Sequence, residues 1–370
     1  MKFKKYFQSL FKRIIQKLFF ILYGKIYNYS HQPTNIFAKH KIDSISVNNN
    51  KFTLSNNIYE INDCRVYTDT NENVAIIKDN FIIPQISFQQ ILGELKQSNF
   101  NKVLEIGTPR LMKKINGTTL SLIQGGSGEN YFHFLFDIIT RLRICEQKIT
   151  LNKIDNFYVH GDIEWQNKIF SLFGINKNQL IDSQIYRHVK FDKLIAISHP
   201  WYHEGYVQNE IANIPDWIIF WLREKFLNLS KKFDCSEKIF IDRSESKFRH
   251  CQLVNNDEII NHLKSKGFIS YKVGELDFLE QVYLFNNAKI IIGPHGAAFS
   301  NIIFSKPKTK IIEIIPTDHS SVKCQKISKI LDLDYKRINK TQTPLIDHLS
   351  GDMRVEIEEI DNILNQLDEG

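Results

Sequence analysis

The sequence holds no disulfide framework and no zinc site, because its five cysteines (Cys64, Cys145, Cys235, Cys251 and Cys324) are odd in number, widely spaced and form no Cys-x-x-Cys pair. A reducing compartment is the simpler home. No apolar run reaches the ~20 residues that a spanning helix needs, the stretch 18–23 being far shorter. There is no internal repeat and no low-complexity linker, and neither a recognition-helix pattern nor an aromatic-basic ribonucleoprotein motif is present, which argues against a nucleic-acid partner. Metal-binding patterns are also thin. His199 and His203 stand at i,i+4, but Pro200 opposes the helix that would bring the rings together. Asp332-Leu-Asp334 has the acidic spacing of a metal site but follows a helix near the chain end. No metal ligand and no cofactor is expected.

What is present is ordinary globular composition, 42% hydrophobic and 24% charged, on a chain of 370 residues. Single cores stop growing near ~250–300 residues, so two domains are expected. The net charge of +7 favours anionic partners: nucleotide phosphates, an acidic membrane or nucleic acid. Much of it sits at the start, where Lys2, Lys4, Lys5, Lys12, Arg13 and Lys17 alternate with Phe3, Phe7, Leu10, Phe11, Ile14, Ile15 and Leu18. Residues 1–30 therefore read as a basic amphipathic helix lying on an anionic membrane surface; a cleaved targeting peptide or a helix packed on the protein are the other readings.

Residues 31–230 read as an irregular α/β lobe. Short Asn-rich β-hairpins decorate its start, strands are expected at 118–124, 156–160 and 194–197, and helices at 130–147 and 163–173. The apolar stripe of a helix at 214–227 precedes the polar stretch 231–237, where the domain boundary is placed. Beyond it strands at 238–241, 268–273, 290–293 and 310–315 alternate with helices at 257–266, 278–287, 297–304 and 322–331. That alternation predicts a Rossmann-like parallel sheet over 231–350. A terminal amphipathic helix within 351–370 is expected to pack back across the lobes.

Candidate chemistry follows from these placements. The run Gly293-Pro294-His295-Gly296-Ala297 leaves a buried strand and opens a helix, where free amides and the helix dipole seat a diphosphate, or where a tight turn simply carries a satisfied histidine. Glu313 lies inside Ile311-Ile312-Glu313-Ile314-Ile315 and needs a partner there, either a ribose diol or an internal salt bridge. Arg243 follows a strand and Arg249 lies one loop on; each can bind phosphate or be a solvated surface charge. In the first lobe His133 and Asp137 share a helix face at i,i+4. They form a general base with its orienting carboxylate, or a capping histidine bonded to its own carboxylate.

As an ordered set these segments resemble glycosyltransferase family 61. The set comprises Gly125-Gly-Ser-Gly-Glu-Asn130-Tyr131-Phe-His133-Phe-Leu-Phe-Asp137 through Arg141, Ile241-Asp-Arg243-Ser with Arg249, Phe278-Leu-Glu-Gln281, Gly293-Pro-His295-Gly296-Ala297 through Asn301, and Ile312-Glu313-Ile314. Phe134, Thr140 and Asn256 depart from the family pattern, where Trp, Pro and an acidic residue are usual. The resemblance implies a GT-B fold, two Rossmann-like lobes facing a cleft, and inversion without an obligatory metal. It implies a nucleotide-sugar donor, a UDP-sugar by first choice, and a saccharide or glycolipid acceptor. Arg243, Arg249, His295, Gly296, Ala297 and Glu313 would hold the donor, with Glu313 on the ribose. His133 or Asp137 would be the base, and Asn130 and Tyr131 would shape the acceptor side. The expected role is surface polysaccharide (capsule or O-antigen) synthesis at the cytoplasmic membrane's inner face. The rival readings are a polysaccharide pyruvyltransferase-like enzyme and a basic nucleic-acid-binding protein.

Overall fold

The computed structural model describes residues 2–28, 38–48, 53–70, 73–91, 94–96, 98–125, 128–201, 205–206, 211–246, 250–317, 319–340 and 351–368. The chain divides into two compact units, Met1–Asn213 and Ile214–Gly370.

The first unit opens with helix α1 (Lys2–Tyr23). Its sheet is built from β1 (Ala38–Asn48), β2 (Thr53–Tyr67), β3 (Ala75–Lys78), β4 (Lys113–Ser121), β5 (Asn156–Val159), β6 (Leu180–Asp182) and β7 (His188–Ile197). β7, β4, β5 and β6 lie side by side and parallel, while β2 joins β7 antiparallel and carries β1 and β3 on its other side. The Asn-rich early segment, expected as surface hairpins, thus extends the main sheet. Ile58, Tyr59, Ile61, Cys64 and Val66 of β2 are all buried. Residues 131–146, together α2, follow β4, at whose exit residues 122–125 are buried; α3 (Glu164–Ser171) follows β5. α2 is not one regular helix, because Phe134–Ile139 winds as π-helix between short α segments. Such wider turns occur mostly at functional sites.

The second unit begins with α4 (Asp216–Phe226). The sequence reading placed this helix in the first lobe, but its contacts are with the second unit. Phe226 packs edge-on to Phe278 and Phe304, and the Arg223 guanidinium donates to the carbonyls of Ile303 and Ser305. Next come β8 (Lys238–Ile241), α5 (Asn256–Ser265), β9 (Ile269–Tyr271), α6 (Phe278–Asn287), β10 (Ile290–Pro294), β11 (Lys310–Pro316), α7 (Lys323–Leu331), β12 (Asp334–Lys340) and α8 (Ile357–Asp368). The sheet is wholly parallel, in the order β9-β8-β10-β11-β12. β12 was not foreseen, because Asp-Tyr-Lys-Arg-Ile-Asn-Lys has no apolar alternation; it survives as a polar edge strand. The segment Ala297–Phe304 is a 3-10 helix where an α-helix was expected. α8 docks on the unit's own core, with Ile360 and Leu364 joining Phe240, Ile259, Leu263, Ile292 and Ile314. Full burial of such a side chain contributes roughly 1.5–3 kcal/mol, so Ile360→Asp should detach α8.

Candidate active site

In the first unit the candidate residues gather beyond the carboxyl ends of β4 and β7, where open α/β sheets place ligands. The chain leaving β4 keeps Gly125 against the backbone of Gln89 and Gln90, and an added Cβ would meet the Gln90 nitrogen at 2.7 Å. Asn130, assigned to the acceptor side by the family resemblance, is the N-cap of α2. Its Oδ1 accepts from the amides of Phe132 (3.0 Å) and His133 (3.3 Å), which occupies that oxygen structurally. The Tyr131 ring lies 5.7 Å from that of Trp165.

His133 sits on the first turn of α2 with its Nδ1 2.7 Å from Asp137 Oδ2. Its side chain is 21% exposed and that of Asp137 only 1%. The Asp137 carboxylate also accepts from Trp201 Nε1 at 2.6 Å and Gln124 Nε2 at 2.9 Å, with His199 Nε2 3.5 Å away. Gln124 Oε1 in turn receives the Arg141 guanidinium. Burial alone would raise the Asp137 pKa, but attraction to His199 and His133 and their hydrogen bonds hold it well below the usual carboxylate range. Asp137 is thus held ionised, with its oxygens engaged by Trp201, Gln124 and His133. It fixes the His133 proton on Nδ1 and leaves the Nε2 lone pair without a protein partner among the described residues. A pocket of about 10 Å³, room for one water, lies against Gln124, His133, Asp137, His199 and Trp201.

Sequence reasoning missed Gln124, His199 and Trp201 as partners of Asp137. His199 and Trp201 lie 62 and 64 positions beyond it, and only the parallel pairing of β4 with β7 brings them together. A faint signal existed in the clustered His199-Pro-Trp201, read only as a discarded metal site. His203 lies outside the described residues.

In the second unit Arg243 follows β8, while His295 and Gly296 follow β10. A side chain on Gly296 would overlap the Arg243 guanidinium, so glycine is required here for space; its φ of 170° is ordinary extended backbone. Arg243 is 7% exposed, and its Nη2 makes only long contacts of 3.4 Å to Ser246 Oγ and the His250 carbonyl. Its Nε is buried with no hydrogen-bond partner, and no carboxylate of the described residues ion-pairs with it. Lys323, 4% exposed at the head of α7, donates to the Gly296 carbonyl at 2.9 Å and approaches Ser300 Oγ. Burial pushes both cations' pKa values down. Ala297 and Ala298 are the half-exposed residues between buried Gly296 and Phe299. Arg249 lies outside the described residues.

Glu313 was expected to hold a ribose. Its carboxylate is 1% exposed and already accepts from His295 Nδ1 at 2.6 Å, Tyr335 Oη at 2.6 Å and Cys324 Sγ at 3.1 Å. Burial would raise its pKa, but the His295 interaction and these hydrogen bonds bring it down to about 2. With its oxygens taken, Glu313 instead positions the His295 ring, which burial keeps neutral with Nε2 as an acceptor. The His319 ring lies tilted against it, with centroids 4.2 Å apart. Among the described residues no three of His, Cys, Asp and Glu converge as a metal site. Asp332 caps α7 in the left-handed region and pairs with Lys308.

Residues 131–312 match the family model described as Glycosyltransferase 61. The similarity to glycosyltransferase 61 thus covers just under half of the chain. Among curated relatives, the EGF domain-specific O-linked N-acetylglucosamine transferases of Mus musculus and Bos taurus are each 27% identical over 93 residues, 24% of this chain and 18% of theirs. That of Gallus gallus matches at the same identity over 17% of its length. The match thus spans less than a fifth of these relatives. The glycosyltransferase 61 segment takes in His133, Asp137, Arg243, His295, Gly296 and Ala297 and stops one residue before Glu313. Two further residues of the resemblance lie within the matched segment and are structural: Asn301 donates to Gln281 Oε1 at 3.0 Å, tying the 3-10 segment to α6.

Proposed function

We propose that this protein is an inverting, metal-independent glycosyltransferase of GT-B type that moves a sugar from a nucleotide diphosphate donor, a UDP-sugar by first choice, to a saccharide hydroxyl. One observation carries the reading beyond the family: a buried guanidinium, Arg243, whose Nε has no hydrogen-bond partner and which forms no ion pair among the described residues, beside a second buried cation, Lys323, on the Gly296 backbone. Burying such charge is costly without an anion, and a diphosphate supplies one. Arg243 and Lys323 take the phosphate oxygens, the backbone at Gly296 and Ala297 allows close approach, and His295 Nε2 accepts from a donor hydroxyl.

His133 Nε2 removes the proton of the acceptor hydroxyl as that oxygen bonds to the anomeric carbon. The bond from that carbon to the diphosphate breaks with its electron pair, and Arg243 and Lys323 stabilise the charge that develops on the leaving group. One displacement inverts the configuration. Asp137 stays ionised throughout and stabilises the imidazolium. The five free thiols and a nucleotide-sugar donor suit the cytoplasm, and surface polysaccharide such as capsule or O-antigen is the product class we assign.

A thermal-shift screen of the full chain in EDTA against UDP-, GDP-, dTDP- and CMP-sugars tests this, because a ligand bound only by the folded state raises its stability. A shift with one nucleotide family, lost in Arg243→Ala, supports the reading. A shift with phosphoenolpyruvate alone would replace it with pyruvyl transfer.

A further inference from the structure

We propose that α1 seats the first unit on an anionic bilayer surface through an apolar stripe that the fold leaves uncovered, and that the helix is clamped rigidly to the unit for this purpose. The described side chains of α1 divide into two apolar faces. Gln16, Phe19, Phe20 and Tyr23 face the protein. Gln16 Nε2 donates to the Glu105 carbonyl, and the Phe20 ring lies so close to Gly107 that an added Cβ would sit 3.0 Å from it. Tyr23 does most of the fixing. Its Oη accepts from the Met112 amide at 3.1 Å, its carbonyl accepts from Arg65, and its ring meets His188 edge-on at 4.8 Å. Arg65 is itself held by Asn80 Oδ1 at 2.5 Å, so the clamp is a hydrogen-bonded hub.

Phe11, Ile14, Leu18, Ile21 and Leu22 recur at helical spacing on the other side and are between 49% and 85% exposed. Packing on the unit therefore explains one apolar face and leaves the second without a partner among the described residues. A contiguous exposed stripe of large side chains marks an interaction surface.

The occupant is identified by charge. From Lys2 to Tyr23 the sequence has no acidic residue and six basic ones, nearly the whole net charge of +7. Arg13 and Lys17 are exposed beside the stripe, positioned to meet anionic headgroups while the apolar side chains enter the interface. No helix among the described residues is long and apolar enough to cross a membrane, so α1 lies on the surface. Its clamp is built at Met112, just before β4, and at His188, where β7 begins. His133 and its partners follow the opposite, carboxyl ends of the same two strands, so docking leaves that end of the sheet uncovered.

The test is flotation of the full-length protein with phosphatidylcholine vesicles, with and without phosphatidylglycerol, for wild type, Leu18→Asp and Ile21→Asp. Both substitutions are at exposed positions, and an unchanged melting curve confirms the fold. The expected result is binding that requires phosphatidylglycerol and weakens at least about tenfold with either substitution, the loss of one apolar contact. Binding unchanged by both substitutions, or absent from the anionic vesicles, overturns the proposal. So does a dimer in light scattering that Leu18→Asp converts to monomer, since a second copy would then be the occupant. Nucleotide-sugar binding, measured on the same variants, is unaffected, so failure here and failure of the transferase reading are separable.

Discussion

Exchanging Asp137 for asparagine replaces one carboxylate oxygen by an amide group, and the surroundings make that swap severe. Trp201 Nε1 donates to Oδ1 at 2.6 Å, while His133 Nδ1 at 2.7 Å and Gln124 Nε2 at 2.9 Å donate to Oδ2. An amide offers an acceptor on one side only. If its oxygen faces Trp201, its NH2 meets two donors, and the imidazole relieves the conflict by moving its proton to Nε2, which removes the lone pair needed for catalysis. If its oxygen faces His133, the buried Trp201 N–H loses its acceptor. Either arrangement leaves a buried donor unsatisfied, costing roughly 1–3 kcal/mol of stability. Loss of a general base lowers the transfer rate by about 10²–10⁴. Initial rates with the donor found by the screen, urea unfolding of the full chain and nucleotide affinity together read this out. Affinity should hold, because the proposed diphosphate seat is in the other unit. A variant with wild-type rate and wild-type melting would refute the assignment of Asp137 as the anchor of His133.

Gly296→Ala should displace Arg243 and weaken nucleotide binding by about tenfold or more, whereas Gly293→Ala meets the Ile241 carbonyl at 2.9 Å and should cost about 1–3 kcal/mol of stability. Calorimetry and urea melts on the pair separate the two effects, and equal behaviour would contradict them. Lys323→Met takes a donor from the buried Gly296 carbonyl, so the ligand-free protein should lose about 1–3 kcal/mol while nucleotide affinity falls; undiminished nucleotide affinity would remove Lys323 from the phosphate seat. Burial holds the His188 pKa down to about 4, so below 6.5 the unfolded chain binds the extra proton. Stability is then full above about pH 6.5 and falls toward pH 4 by up to ~1.4 kcal/mol per unit for this group, a slope that His188→Gln should flatten in urea melts.

The second unit was readable because β8, β10 and β11 are apolar runs separated by helices with clear stripes, and a parallel sheet buried on both faces demands that pattern. β12 escaped because an edge strand needs no apolar alternation, and with it went Tyr335, which bonds Glu313. Glu313 was correctly singled out as a buried carboxylate needing a partner. Which partner it took depended on His295, Cys324 and Tyr335 meeting across three elements, information that no local window holds. The π-helical turn around Asp137 was invisible for another reason: Phe-Leu-Phe-Asp-Ile-Ile is apolar on every side but that of Asp137 and fits either winding. Lys323 was not singled out in the sequence, where nothing marks it off from other lysines; only the fold shows it buried and bonded to the Gly296 carbonyl.

The most direct test measures transfer from the identified nucleotide sugar by wild type and His133→Ala, with nucleotide affinity determined for both. The expected result is a fall in kcat of about 10² or more at unchanged nucleotide affinity. Undiminished turnover by His133→Ala would contradict it.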